Sequence, residues 1–272
     1  MTRPIGSAPS LDAYSPAQIA ILVENGGVAK VRLHTLQMAT LGVLAGAFIA
    51  FGAMFYTLVV TGTDMGFGPA RVLGGVAFSL GLILVLLGGA ELFTGNNLIV
   101  MAWAARKVTT AQLLRNWGLV YLTNLLGALG MVFMFDLAGL MELGDGAVAQ
   151  TAVSIAQAKI DLGMIAAFFR GILCNILVCL AIWLCFGART VTGKILAIVF
   201  PITAFVALGL EHSVANMYLI PVGMLAGGGG MDFGAFIGNL IPVTLGNIVG
   251  GGGLVSLTYW LVYLRGPAGT ER

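Results

Sequence analysis

Charge is what this sequence has least of. Asp, Glu, Lys and Arg make up 9% of its 272 residues, against about 25% in an ordinary soluble domain. Thirteen basic and eleven acidic side chains cannot cover the water-facing surface of a chain this long, which excludes a soluble globular protein. The net charge of +2 is too small to point to nucleic acid. Cysteine is also scarce, and three of them, an odd number, exclude a disulfide framework within the chain. Cys174, Cys179 and Cys185 follow one another at spacings of five and six, which do not share a helical face, so they read as small core residues and not as metal ligands. No metal-binding or cofactor motif is present, and the expected cofactor content is none.

What the chain has in abundance is apolar side chains, 59% of residues, with a mean hydropathy of +1.01. That places it in the lipid bilayer as an all-α integral membrane protein. Its 40 glycines, about 15% against a usual ~7%, fit helices packed closely in lipid. Six apolar segments stand between polar punctuation, at 36–61, 70–105, 117–136, 162–186, 195–226 and 240–264. The second and fifth, 36 and 32 residues long, would reach about 50 Å as straight helices, well past the ~30 Å of hydrocarbon, so each is expected to tilt, bend or break.

Residues 1–35 carry Pro4, Pro9, Asp12, Pro16 and Glu24 ahead of any long apolar run, so no signal peptide is expected. A short amphipathic helix is expected from Pro16 to Leu33, with Pro16 in its first turn. The chain thus divides into an N-terminal segment 1–35, a membrane domain 36–264 and a tail 265–272. With the N-terminus cytoplasmic, ten basic residues fall on one side and only Arg71, Lys159 and Arg170 on the other, which puts both termini inside. Trp103, Trp117, Trp183 and Trp260 fall near span ends, as an interfacial belt would place them.

The two long segments repeat one another. Glu91 and Asn96, five apart, line up with Glu211 and Asn216; downstream, Asn116 and Asn124, eight apart, recur as Asn239 and Asn247, and Gly127 answers Gly250. Three spans per half, an odd number, make the second half enter the membrane upside down, an inverted 3+3 repeat with a site expected near the midplane between the interrupted helices. Gly88-Gly89 to Gly95-Asn96 and Gly209 to Asn216 mark the interruptions. Irregular backbone at that depth is tolerated only when buried in protein or lining a cavity. Thr94 and Ser213 are expected as N-caps of the half-helices beyond. Either these are two capped kinks without a ligand, or two positive helix ends aim at one anion site.

His212 is the only histidine deep in an apolar segment, whereas His34 sits at an edge. Ionisable groups at such depth are costly and usually functional. The plainer reading is a neutral ring tying two loops. Glu91 and Glu211 are expected to fasten loops by accepting backbone N–H bonds, with Asn96 and Asn216 beside them. Phe78 and Leu82 share a helical face, and Phe205 lies two turns before His212; alone, such a stripe is core or lipid-facing. Gly42-x-x-x-Gly46 and Gly246-x-x-x-Gly250 mark helix contacts within or between subunits. Gly227–Gly230 and Gly250–Gly253 lack the context of a phosphate loop and read as turn or packing elements.

At these residues the chain resembles the formate/nitrite transporter family, over nearly its whole length. The motifs are Glu91-Leu-Phe-Thr-Gly-Asn96, Cys174-Asn175-Ile-Leu-Val-Cys179, Glu211-His-Ser-Val-Ala-Asn-Met217 and Asn239-Leu-Ile-Pro-Val-Thr-Leu-Gly-Asn247, the last most similar to the family's formate channels. Glu91 and the Thr94-Gly95-Asn96 run are closer to nitrite-type members, and the loop at Gly227–Gly238 is short for a formate channel. The resemblance implies a homopentamer of aquaporin-like protomers in a bacterial inner membrane, each with its own pore. It also implies roles. Phe78, Leu82 and Phe205 match an outer constriction, and Leu92, Phe93 and Val178 an inner one. Thr94 and His212 match the pair between them, Asn175 a polar group near the inner end, and Lys159 a basic residue at the outer vestibule.

The function expected is a channel or proton-coupled carrier for small monovalent weak-acid anions, formate first and nitrite second, with protons, lipid and its own copies as partners and no nucleic acid. The alternatives are a nitrite or hydrosulfide channel of the same family and a neutral-solute, aquaporin-type pore. An intramembrane hydrolase using His212 and Glu211 lacks an activated nucleophile, so no enzyme is expected.

Overall fold

A computed structural model describes residues 13–227 and 229–265; residues 1–12 with Pro4, Pro9 and Asp12, Gly228 of the glycine run, and the tail 266–272 lie outside the described residues. Among the described residues the chain is all-helical, with no strand. Its first helix, α1 (Pro16–Val31), opens on a reciprocal cap. Ser15 Oγ accepts from Gln18 N–H, and Gln18 Oε1 accepts from Ser15 N–H. Pro16 takes the first helical position, where a missing N–H costs nothing. The face carrying Ile19, Ala20, Val23, Glu24, Gly27 and Val31 is buried.

Then follow α2 (Thr35–Val60) and α3 (Phe67–Gly88), which stops where Gly89 turns left-handed at φ +79°. Irregular backbone leads into a 3-10 turn, Gly95–Ile99, and the short α4 (Val100–Ala104). The segment continues through α5 (Thr110–Leu137), α6 (Ala147–Ile160), α7 (Met164–Gly187), α8 (Val191–Ala207), α9 (Ser213–Leu225) and α10 (Phe233–Leu264). Five of these, α2, α3, α5, α7 and α10, are long and apolar enough to cross a membrane, and α8 and α9 are shorter apolar helices. Segments 70–105 and 195–226 are therefore each broken near the middle, the second at Gly209, φ +68°. Helix α6 falls between the apolar segments and went unforeseen there, because it is a short, mixed-polarity helix in a connection.

The glycine pairs pack helices within one chain. A Cβ at Gly46 would run into the Asn124 carbonyl and one at Gly127 into the Val43 carbonyl, so α2 and α5 touch backbone to backbone. Gly246 and Gly250 do the same against the carbonyls of Phe168 and Ile172, joining α10 to α7. Residues Ile248–Ser256 of α10 are π-helical, and two of the glycines there, Gly250 and Gly251, lie against neighbours that would not admit a side chain, Gly251 facing Asn175 and Cys179. Gly227 and Gly230 sit in a turn at positive φ.

Two of the four tryptophans also pack within the protein. Trp103 is exposed, but Trp183 is buried and stacks on Tyr259 at 4.0 Å, while Trp117 donates its indole N–H to the Asn96 carbonyl at 3.0 Å and meets Phe93 edge-on. Both act inside the protein, where an indole N–H needs a partner.

Candidate functional site

The two breaks are held by matching sets of hydrogen bonds. At the first, Asn124 Oδ1 accepts from Phe93 N–H at 2.9 Å, and Asn124 Nδ2 donates to the carbonyls of Gly42 and Glu91 at 2.8 and 2.9 Å. At the second, Asn247 Oδ1 accepts from Ser213 N–H at 2.9 Å, and Asn247 Nδ2 donates to Gly171 and Glu211 at 2.8 and 3.0 Å. Asn96 Nδ2 donates to Glu91 and to Asn116 Oδ1, as Asn216 Nδ2 donates to Glu211 and to Asn239 Oδ1. A lysine completes each set: Lys30 Nζ lies 2.7 Å from Glu91 and Lys159 Nζ 2.9 Å from Glu211. An unpaired buried polar group costs about 1–3 kcal/mol, so breaks at this depth survive because these side chains stand in for the helical ladder.

Three expectations change here. Glu91 and Glu211 take side-chain N–H donors from lysine and asparagine, not backbone N–H groups, because the asparagines at i+5 reach them first. The N-cap of α9 is His212, not Ser213: Ala215 N–H donates to His212 Nδ1 at 3.0 Å, and Ser213 Oγ is buried without a protein partner. Thr94 makes no cap bond either; its Oγ1 lies 2.8 Å from His212 Nε2, so the two breaks meet through this pair. Since Nδ1 accepts a hydrogen bond from the Ala215 N–H, the donor pattern assigns the neutral tautomer with hydrogen on Nε2, donating to Thr94 Oγ1.

Two cavities approach this pair from opposite ends of α3. The first, about 610 Å³, is bordered by Arg71, Phe78, Lys159, Arg170, Phe205 and His212 among others. The second, about 230 Å³, is bordered by Lys30, Val85, Glu91, Leu92, Ile182 and Phe186 among others. Phe78 and Val85, one at each cavity, are seven residues apart, about 10 Å along the helix. The septum between is apolar and dense. Phe78 and Phe205 meet edge-to-face at 5.5 Å, Phe205 stacks on the His212 ring at 5.9 Å, and Leu82 and Val178 are buried in the same core.

Other residues of interest fall as follows. Phe93 is turned toward Tyr121 and Trp117, with ring centroids at 4.9 and 6.1 Å. Asn175 is buried midway along α7 and donates to the carbonyls of Thr94 and Asn247 at 3.3 and 2.7 Å. It thus ties the first break to α10 and borders neither cavity. The three cysteines are buried and free, and no cluster of metal-ligating residues occurs among the described residues.

Lys159 borders the first cavity, and its charge is paired there: its side chain is 14% exposed and half of an ion pair whose carboxylate is 4% exposed. Lys159→Gln is expected to leave Glu211 buried and uncompensated, a loss of about 3–5 kcal/mol seen as a lower thermal midpoint of the purified protein. A variant with wild-type stability would show the pair to be dispensable.

Buried broken helices, joined by a histidine–hydroxyl pair between two cavities in an apolar helical bundle, define a membrane transport protein. The chain belongs to the formate/nitrite transporter family, whose model, formate/nitrite transporter, matches residues 17–261. It is 41% identical to the formate channel FocA of Escherichia coli (strain K12) over 93% of this chain and 96% of that one. Among solved structures, a pentameric formate channel with formate bound superposes with a TM-score of 0.79 at 42% identity, covering 85% of this chain and 98% of that chain. A second, an FNT family ion channel, gives 0.83 at 29% identity, covering 90% and 98%. These relatives are channels and not enzymes.

Proposed function

We propose that the chain is a pore for small monovalent weak-acid anions, formate first and nitrite second, working as a homopentamer in a bacterial inner membrane with one passage per protomer. Its 41% identity to a formate channel and its likeness to a pentameric one support substrate and assembly. The membrane domain 36–264 is read as six spans in a 3+3 inverted repeat, the segment pairs α3/α4 and α8/α9 each counting as one interrupted span. The duplicated asparagine, glutamate and lysine sets at the two breaks support that reading. With segment 1–35 and tail 265–272 cytoplasmic, the first cavity opens outward. Phe78, Leu82 and Phe205 then form the outer constriction, and Leu92, Phe93 and Val178 the inner one.

The observation that carries the mechanism is the Thr94–His212 pair, buried between the cavities. A bare anion cannot cross an apolar septum cheaply, whereas its neutral acid can. To donate, the ring must first bind a proton at Nδ1 and release the Ala215 cap, a cost of about 1 kcal/mol that the charge of an arriving anion offsets. The anion takes the Nε2 proton by way of the Thr94 hydroxyl, which leaves a neutral ring with its hydrogen on Nδ1; return of that hydrogen to Nε2 restores the Ala215 cap. The test is flux of formate and nitrite into liposomes with and without a pH gradient, for wild type and for Phe78→Ala/Phe205→Ala. Wild-type flux should rise with an inward proton gradient, and the double variant should admit larger carboxylates or chloride. Proton-independent wild-type flux would favour a neutral-solute pore, and unchanged selectivity in a folded double variant would return the two rings to the core.

A further inference from the structure

All three cations that the sequence places on the sparsely charged side border the first cavity, and no carboxylate among the described residues borders it. Lys159 is neutralised by Glu211. Arg71 and Arg170 have no acidic partner in any ion pair among the described residues. Both are held at the C-terminal end of α8. Arg71 Nε donates to the Ala207 carbonyl at 2.5 Å and its Nη2 to Val206 at 3.3 Å, while Arg170 Nη1 donates to Gly209 at 3.2 Å. A Cβ built on Gly209 would stand 2.6 Å from Arg71 Nη2 and 3.8 Å from Arg170 Nη1, so the two guanidinium groups flank one point of backbone.

Two like charges this close repel one another, and the carbonyl dipoles that end α8 hold them there. Each guanidinium has five N–H donors; these bonds use two of Arg71's and one of Arg170's, leaving the rest for a guest. We propose that Arg71 and Arg170 form an anion-capture site at the first cavity, selective for planar anions with two acceptor oxygens over anions with a single acceptor atom. This deepens the proposed function and rests on it: the pair loads the cavity ahead of the His212 step. The physical basis for selectivity is the guanidinium fork. Two parallel N–H groups match two oxygens of a carboxylate or nitrite, whereas a chloride or hydrosulfide ion sees only the charge.

The test compares formate and hydrosulfide uptake into liposomes by wild type, Arg71→Gln/Arg170→Gln and Arg71→Lys/Arg170→Lys, each confirmed as a folded oligomer. In the Gln pair the half-saturating formate concentration should rise about tenfold, as loss of charge-assisted hydrogen bonds of modest strength implies, with the maximal rate kept. The Lys pair should show most of that rise, and hydrosulfide half-saturation should move less than formate in both. Equal shifts for both anions, or full rescue by lysine, would reduce the site to undirected charge and overturn the selectivity; no shift would overturn the site. A second measurement needs no variant. Modification of Arg71 and Arg170 in the wild-type protein by an arginine-specific dicarbonyl, read by mass spectrometry, should be slowed by formate or nitrite and not by equal chloride. Equal slowing by chloride would overturn the proposal. Absence of wild-type formate flux with formate protection intact would instead sink the transport reading and spare the site.

Discussion

His212→Asn is expected to carry formate at a rate that no longer changes with pH. Asparagine caps a helix as well as any residue, so the substitution can keep the bond from Ala215 N–H and the break intact while removing the only ring that titrates between Thr94 and α9. In the wild type, flux should rise as external pH falls, because the ring must be protonated before it can hand a proton on. In the variant that component should fall on the order of 100-fold, the usual size of a lost acid–base group. What survives is a block or a slow leak of bare anion. Liposome flux at several pH values, on protein of wild-type oligomeric size, decides it. A retained wild-type slope would make His212 a cap and nothing more. His212→Phe removes cap and proton together, and its added loss of about 1 kcal/mol should appear in the melt and not in the pH profile.

The second large effect belongs to the asparagines that carry no proposed transport role. Asn247→Leu removes partners from Ser213 N–H and from the Glu211 and Gly171 carbonyls; Asn124→Leu does the same to Phe93 N–H and to the Glu91 and Gly42 carbonyls. The groups at residues 91, 93, 211 and 213 border irregular backbone, so no helical ladder takes over. At about 1–3 kcal/mol per stranded group, either substitution should cost on the order of 5 kcal/mol, enough to prevent recovery of folded protein. A variant that melts within a few degrees of wild type would show that water replaces the side chain.

Much of this was legible in the chain and some was not. The breaks were, because 36 and 32 apolar residues overrun the bilayer and each run carries glycines at its centre. The repeated polar residues were too, since asparagine is so rare in these segments that its spacing stands out. Their partners were hidden. Lys30 and Lys159 reach Glu91 and Glu211 across 61 and 52 positions, and nothing local links them. Propensity favours a serine as the cap of α9, whereas the fold turns the His212 ring onto Ala215 and leaves Ser213 idle. Arg71 and Arg170 lie far apart in the chain, and their meeting at Gly209 depends on how α3, α7 and α8 pack.

The thinness of the septum has an electrical consequence. With both cavities wetted, the membrane voltage falls mainly across the roughly 10 Å between Phe78 and Val85 and not across the full hydrocarbon thickness. An ion crossing that distance exchanges about 2.3 kcal/mol with the field for every 100 mV. A neutral acid exchanges none. The proposed site of protonation therefore lies inside the steepest part of the field, and current carried per molecule moved becomes a direct count of how many guests cross without their proton.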